Sequence, residues 1–402
     1  MVGSIRSTAF VVGVVTLASG CLTGLGLPSH GGGGGQPGNI PPGSMTGGNG
    51  TGATSGGAAA SGQNQLDGGS GSGDGGPAFD ALPAQSSFIQ ERWVSKQGLS
   101  IDGTKWLAGD FDNDGKTDLA AVFGDAGSIS IDVWLSTGSS FTRQRWETRQ
   151  GQFWAAQKWV AGDFDGDGRA DLANVYDDLD QISIDVHRST PNGFTLERWE
   201  TRTGDFWDAQ RWVAGDFDGD HDTDLANVFE DDEQTSIDIH RSSGTSFTLQ
   251  RVATQFGPYA DSQKWLSGHA MIPGVNPDAL LCVFSDRGDA SIDLYSVRGT
   301  TVNITPSGRR VDAFWSAQKW LSGHFSGSSS AELANVFNDS KRASIDIVTV
   351  GGGAAQRWAT QQGTYWDGQQ WLAGNFDGQG LDDLANVFSD NGFISIDVHR
   401  MP

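Results

Sequence analysis

One pattern recurs six times along this 402-residue chain at near-constant spacing. A basic or polar residue precedes Trp and a short turn, starting at Lys105 (KWLAGDFDNDGKTDLAAVF), Lys158, Arg211, Lys264, Lys319 and Gln370, at intervals of 53, 53, 53, 55 and 51 residues. A repeat of this length is a supersecondary unit that cannot bury its apolar surface alone, so copies must stack on one another. Each copy divides into four strand-like pieces, which in the second are residues 158–162, 171–176, 182–188 and 194–201. In the third piece Ile182, Ile184 and Val186 alternate with Ser183, Asp185 and His187, the period of a strand. No segment sustains a helical period. Four strands per copy is the size of a propeller blade.

The two ends of the repeated region distinguish a closed ring from an open stack. SSFIQERWVSKQG (Ser86 to Gly98) matches the end of a repeat, FTRQRWETRQG (Phe141 to Gly151), whereas ISIDVHR (Ile394 to Arg400) is a third strand with no fourth after it. Pairing the spare fourth strand with the incomplete last copy closes a ring; an open array would leave two bare edges that invite aggregation. The expected fold is all-β: a six-bladed β-propeller of four-stranded blades over residues 86–402, closed by an N-terminal strand that completes the last blade.

Between the first two strands of several copies lies an acidic loop. In the first copy Asp110, Asp112, Asp114 and Asp118 occupy loop positions 1, 3, 5 and 9, with Gly115 at the bend and Lys116 offering its main-chain carbonyl. Alternating acids in a tight turn converge hard oxygen ligands on one point, the coordination Ca²⁺ prefers. The second copy has Asp163, Asp165, Asp167, Arg169 (through its carbonyl) and Asp171. The third has Asp216, Asp218, Asp220, Asp222 and Asp224, with His221 in place of the glycine. Three structural Ca²⁺ sites are expected. Copies four and five have lost the pattern, with His269 and His324 at position 1. The last copy (Asn375, Asp377, Gln379, Asp383) is a weaker candidate. The alternative is a set of polar turns without metal. The DxDxDGxxDL motif between strands resembles the FG-GAP/VCBS repeats of integrin α-subunit propellers and of many bacterial surface proteins. That resemblance implies a propeller and calcium but no single function, since members include adhesins, lectins and domains attached to enzymes.

The connections between copies are aromatic: FWAAQKW, FWDAQRW, YADSQKW, FWSAQKW and YWDGQQW. Trp154, Trp207, Tyr259, Trp315 and Trp366 recur there with Gln157, Gln210, Gln263, Gln318 and Gln369. An aromatic plane with adjacent amides suits a sugar, whose apolar ring face stacks while its hydroxyls take hydrogen bonds. The same residues would equally serve as wedges between blades. The first copy departs from the pattern, with Ile101 and Thr104 in place of Trp and Gln.

The amino-terminal segment reads as an address. Residues 1–20 have a thin positive start, an apolar run from Thr8 to Leu17 and small residues before Cys21, the layout of a secretory signal. Leu17 to Cys21 resembles a bacterial lipobox, which implies lipidation of Cys21. The rest of 21–85 is Gly- and Ser-rich without Lys or Arg, a composition that cannot offset its ordering entropy. Such a linker of Gly-rich coil reaches roughly 40–50 Å. The expected location is the bacterial cell surface or outer membrane, with membrane contact only through the lipid.

A formal charge of −23 disfavours nucleic acid as a partner. No HExxH, P-loop or differentiated nucleophile–base set stands out, and near-identical copies favour several equal sites that gain strength through linkage. The reading is therefore a non-enzymatic, monomeric ring that binds ligands multivalently, with glycans favoured and cell-surface proteins possible. The alternatives are an assembly scaffold and a polysaccharide-active enzyme using the central channel.

Overall fold

The computed structural model describes residues 87–268, 277–328, 330–352 and 355–401. The expected signal (1–20), the expected lipidation site Cys21 and the expected linker lie outside the described residues, as do His269 and most of the fourth copy's loop. Among the described residues no helix is long and apolar enough to cross a membrane.

Among the described residues all regular secondary structure is β. Strand β1 (Ile89–Leu99) precedes the repeats. Blade one is β2 (Lys105–Gly109), β3 (Asp118–Asp125), β4 (Ser128–Ser136) and β5 (Phe141–Gln152). Blade two is β6 (Lys158–Gly162), β7 (Asp171–Asp177), β8 (Ile182–Thr190) and β9 (Gly193–Glu200). Blade three is β10 (Arg211–Gly215), β11 (Asp224–Asp231), β12 (Gln234–Ser242) and β13 (Phe247–Ala253). Blade four is β14 (Lys264–Gly268), β15 (Ala279–Asp286), β16 (Asp289–Arg298) and β17 (Thr301–Ala313). Blade five is β18 (Lys319–Gly323), β19 (Glu332–Asp339), β20 (Arg342–Thr349) and β21 (Gln356–Gln362). Blade six joins β22 (Gln370–Gly374), β23 (Asp383–Asp390) and β24 (Phe393–Arg400) to β1.

The six sheets form a propeller. The first strand of each blade lies innermost, β2 beside β6 and onward through β10, β14, β18 and β22 back to β2. The expected closure is present: β1 runs antiparallel to β24, from Ile89 opposite Arg400 to Leu99 opposite Phe393. Across the same junction the Thr117 amide donates to the Asn375 carbonyl at 2.9 Å, so the last and first blades are joined by main chain as well as by the borrowed strand.

Six clusters of buried apolar side chains fill the gaps between consecutive blades, blade six against blade one included. This placement explains a departure from simple alternation. Ser183 and His187, expected on a polar face of β8, are as buried as Ile182 and Ile184, because each sheet is covered on both faces by its neighbours. The polar groups are therefore satisfied internally. The Ser130, Ser183, Ser236, Ser344 and Ser395 hydroxyls accept the amides of Arg149, Arg202, Gln255, Gln361 and Lys96 at 3.0–3.1 Å. Each donor is a left-handed residue (φ 49 to 53°), at a bulge of the outer strand for Lys96, Arg149 and Gln361 and just past its end for Arg202 and Gln255. Blades also approach closely at the end of the innermost strand. A Cβ on Gly162 would lie 2.5 Å from Thr223 Cγ2, and one on Gly374 the same distance from Thr117 Cγ2.

Candidate functional site

Antiparallel order within each blade puts the loop between its first and second strands on one face of the ring. The blade-to-blade connection and the loop between second and third strands emerge on the other. The acidic loops and the aromatic connections thus lie on opposite faces.

On the acidic face three clusters could each hold a metal ion: Asp110, Asp112 and Asp118; Asp163, Asp165 and Asp171; and Asp216, Asp218 and Asp224. Within each cluster one carboxylate oxygen per residue lies within 4.8 Å of the others. The second loop residue anchors the turn. Phe111, Phe164 and Phe217 are fully buried, and Phe111 and Phe164 meet Phe194 and Phe247 of the next blade edge-on at 5.9 and 5.6 Å. The loop amides fold inward. Asp110 accepts the amides of Asp114 (3.1 Å) and Gly115 (2.9 Å), and Asp163 those of Asp167 (3.1 Å) and Gly168 (2.9 Å). Asp216 accepts the amides of Gly219 (2.6 Å) and His221 (3.1 Å). His221 adopts the left-handed conformation expected of its glycine counterparts, at φ 82°. The last acid ties loop to blade: Asp118 accepts the Ser136 amide at 2.7 Å and the Phe111 amide at 3.2 Å, and Asp171 and Asp224 repeat both bonds.

Burial pushes the carboxyls of Asp118, Asp171 and Asp224 up to about 8, with neighbouring loop acids adding to the shift, and pushes Asp163 up to about 6. A cation at the point of convergence would remove that cost. Asp112 Oδ1 in particular is buried without a hydrogen-bond partner, and the donors are all hard oxygen. The residues present fit a divalent cation of the calcium type.

Position 5 does not join the clusters. Asp114 turns to the Lys116 amide (2.9 Å) and ammonium, and Asp167 to the Arg169 amide (2.9 Å) and guanidinium (2.8 Å). Asp220 accepts the Asp222 amide at 3.0 Å. Asp222 lies beside the neighbouring loop, where a Cβ on Gly166 would come within 2.4 Å of its Oδ1. In blade five the longer Glu332 accepts the amides of Phe325 (2.8 Å) and Ser326 (2.7 Å) and the Ser326 hydroxyl, filling the turn itself. In blade six Asp383 accepts the amides of Asp377 (3.2 Å) and Met401 (3.0 Å), while Asn375 accepts that of Gly380 (3.1 Å).

On the aromatic face Trp154, Trp207, Trp315 and Trp366 stand edge-on to Tyr176, Phe229, Phe337 and Phe388 at 5.4–5.8 Å. Trp315 and Trp366 are 37% and 38% exposed. Their recurring glutamines are not beside them at the surface. Gln157, Gln210, Gln318 and Gln369 are buried, and their amides donate to Gln152, Asp205, Ala313 and Thr364 carbonyls at 2.8–2.9 Å. Gln263 does the same to Pro258 at 3.1 Å. These side chains brace the connecting loop. Tyr259 spans blades, its hydroxyl donating to the Ala209 carbonyl at 3.0 Å.

The polar groups that do flank the aromatics are arginines. Arg198, Arg251, Arg357 and Arg92 lie over the rings of Tyr176, Phe229, Phe337 and Phe388 at 4.9–5.2 Å. They pair with Asp185, Asp238, Asp346 and Asp397. Arg145 over Phe123 and on Asp132 repeats this in blade one, without the tryptophan. The signal in the sequence was the recurring Arg one residue before a fourth-strand Trp or Val, as in QRW and ERW.

Residues 110–173 match the model of the FG-GAP-like repeat. Among solved structures the Tc holotoxin pore of Photorhabdus luminescens resembles it with a TM-score of 0.51 at 14% identity, over 78% of this chain. The chain spans only 14% of that toxin chain's length, and the likeness is one of fold. TolB from Acinetobacter baumannii (TM-score 0.38, 13% identity, 75% of this chain and 66% of that one) is more distant. So is the rhamnogalacturonan lyase YesW (0.37, 10%, 78% and 76%). No curated protein matches the sequence.

Proposed function

We propose that this FG-GAP-repeat propeller is an exported, lipid-anchored surface protein that binds glycans through several equivalent pockets and is braced by calcium on its opposite face. The observation that carries the binding role is the fourfold recurrence of an exposed or half-buried tryptophan, a second aromatic ring, a stacked arginine and its aspartate partner. The aromatic surface offers a stacking plane, and the Arg–Asp pair offers donors and acceptors for vicinal hydroxyls. Individually weak sites on one rigid ring gain from linkage, by roughly 10²–10⁴ in avidity. Calcium would be held by Asp110, Asp112 and Asp118 and their counterparts in blades two and three. A closed oxygen shell of this kind supports structure rather than catalysis. A glycan array probed with the full chain tests the reading. Retention on a restricted set of glycans is expected, and failure to bind any would overturn it.

A further inference from the structure

The repeat residue that opens each innermost strand is Lys105, Lys158, Arg211, Lys264, Lys319 and Gln370 in turn. Because these strands close a ring, the six positions encircle the propeller axis at one level, on the aromatic face. Three of the six side chains reach the connection that leads into the following blade. Lys158 Nζ donates to the Asp208 carbonyl at 2.9 Å, Arg211 Nη2 to the Asp261 carbonyl at 3.3 Å, and Gln370 Nε2 to the Thr104 carbonyl at 3.1 Å. None of the five cations forms an ion pair with a carboxylate among the described residues. The consequence is five positive charges, partly or fully withdrawn from water, held around one axis in a chain whose net charge is −23.

Two of the cations, Lys158 and Lys264, also feel neighbouring cations of the ring. Burial pushes the ammonium groups of Lys105, Lys158, Lys264 and Lys319 below the usual lysine range. Lys105 and Arg211 depress Lys158 further, and Lys319 and Arg211 depress Lys264, while the acids Asp208 and Asp367 act in the opposite sense on Lys158 and Lys319. Main-chain carbonyls relieve part of this repulsion without cancelling charge. A ring of like charges in a partly desolvated mouth is the arrangement that an anion on the axis stabilises.

We infer that the axial mouth of the channel on the aromatic face is a binding site for a multivalent oxyanion, phosphate- or carboxylate-borne, held by Lys105, Lys158, Arg211, Lys264 and Lys319. The site is independent of the aromatic pockets, since it uses the inner strands and not the blade surfaces.

Pyrophosphate and citrate are the probes, titrated calorimetrically into the full chain at low salt. Gln370 shows that glutamine is accommodated at this position, so Lys264→Gln/Lys319→Gln is the variant of choice. Binding of either probe is expected, weakening as salt is raised and by about tenfold in the double variant, or about 1.4 kcal/mol for the two missing charges together. The ratio of the two affinities identifies phosphate or carboxylate as the preferred group. Binding of neither probe, or equal binding by wild type and variant, overturns the inference. Should the double variant not fold, wild-type crystals soaked in tungstate decide. Anomalous density on the axis beside the lysines supports the site, and density only elsewhere or none overturns it.

Discussion

Arg188 on β8 donates through Nε to Asp165 of its own acidic loop at 2.7 Å, and Leu135 holds the matching position on β4. Arg241 and Arg400 repeat the pairing with Asp218 and Asp377. The loop of blade one alone among the three acidic clusters lacks this internal counterion, and there Asp112 Oδ1 is left without a partner. A metal ion in blades two and three competes with a guanidinium already in place. Calcium should therefore bind most tightly in blade one. Leu135→Arg should weaken that site several-fold and leave the other two unchanged, as read by calorimetric titration with calcium. Equal affinities in all three loops would contradict this account.

Metal removal should give the protein an unusual pH dependence. Asp118, Asp171 and Asp224 are pushed up to about 8 in the native state, whereas an unfolded Asp titrates near 3.9. Between those values the native state retains protons that the unfolded state has released, so stability falls as pH rises from about 4 to about 8. Carboxylates held low by arginines, such as Glu91 and Asp178, act with the opposite sign, but only below about pH 4. With EDTA the melting temperature should be higher at pH 5.5 than at pH 8, both pH values being choices within that window. Excess calcium should remove or invert the difference, because it stabilises the ionised native loops. A melt indifferent to both EDTA and pH would refute the metal assignment.

Blade junctions carry a second buried device. His187 Nδ1 meets Glu147 Oε2 of the preceding blade at 2.8 Å, and His240 meets Glu200 in the same way at 2.6 Å. In blade six the partner of His399 is the amide of Gln362 at 3.2 Å. Glu147→Ala should cost about 1–3 kcal/mol by leaving a buried imidazole nitrogen unpaired. Glu147→Gln should recover much of that loss, since an amide already serves at the last junction. Chemical denaturation of the two variants measures the difference.

The aromatic face separates binding from stability. Trp366 is 38% exposed with one edge-on aromatic neighbour, so Trp366→Ala should cost only about 0.5–1.5 kcal/mol. Trp358, buried in the core between blades five and six, should cost about 3–5 kcal/mol on the same change. If the glycan reading holds, Trp366→Ala lowers retention on a glycan surface while its melt barely moves. Undiminished retention would remove Trp366 from the binding surface.

What the sequence determined by itself is whatever depends on local pattern and its repetition. The spacing of Trp106, Trp159, Trp212, Trp265, Trp320 and Trp371 sets the number of blades. The alternation through Ile182, Ile184 and Val186 sets strand type, and the unmatched ERW segment at Glu91 to Trp93 foretells the closing strand. The loop acids Asp110, Asp112 and Asp118 were likewise legible, because a tight turn brings near neighbours together regardless of what surrounds it. Tertiary structure decided where side chains point and what they meet, within a blade and between blades. Asp114 faces Lys116 rather than the cluster, and Gln157 is buried beneath its loop, bonded to the main chain of Gln152 and Trp154. Arg198 reaches Tyr176 and Asp185 across strands, and Lys158 meets the carbonyl of Asp208, 50 residues away in the chain. The physical reason is that a side chain's direction and partners in a propeller follow from the packing of one sheet against the next. That packing joins residues about one repeat apart, a distance over which a linear pattern carries no geometry.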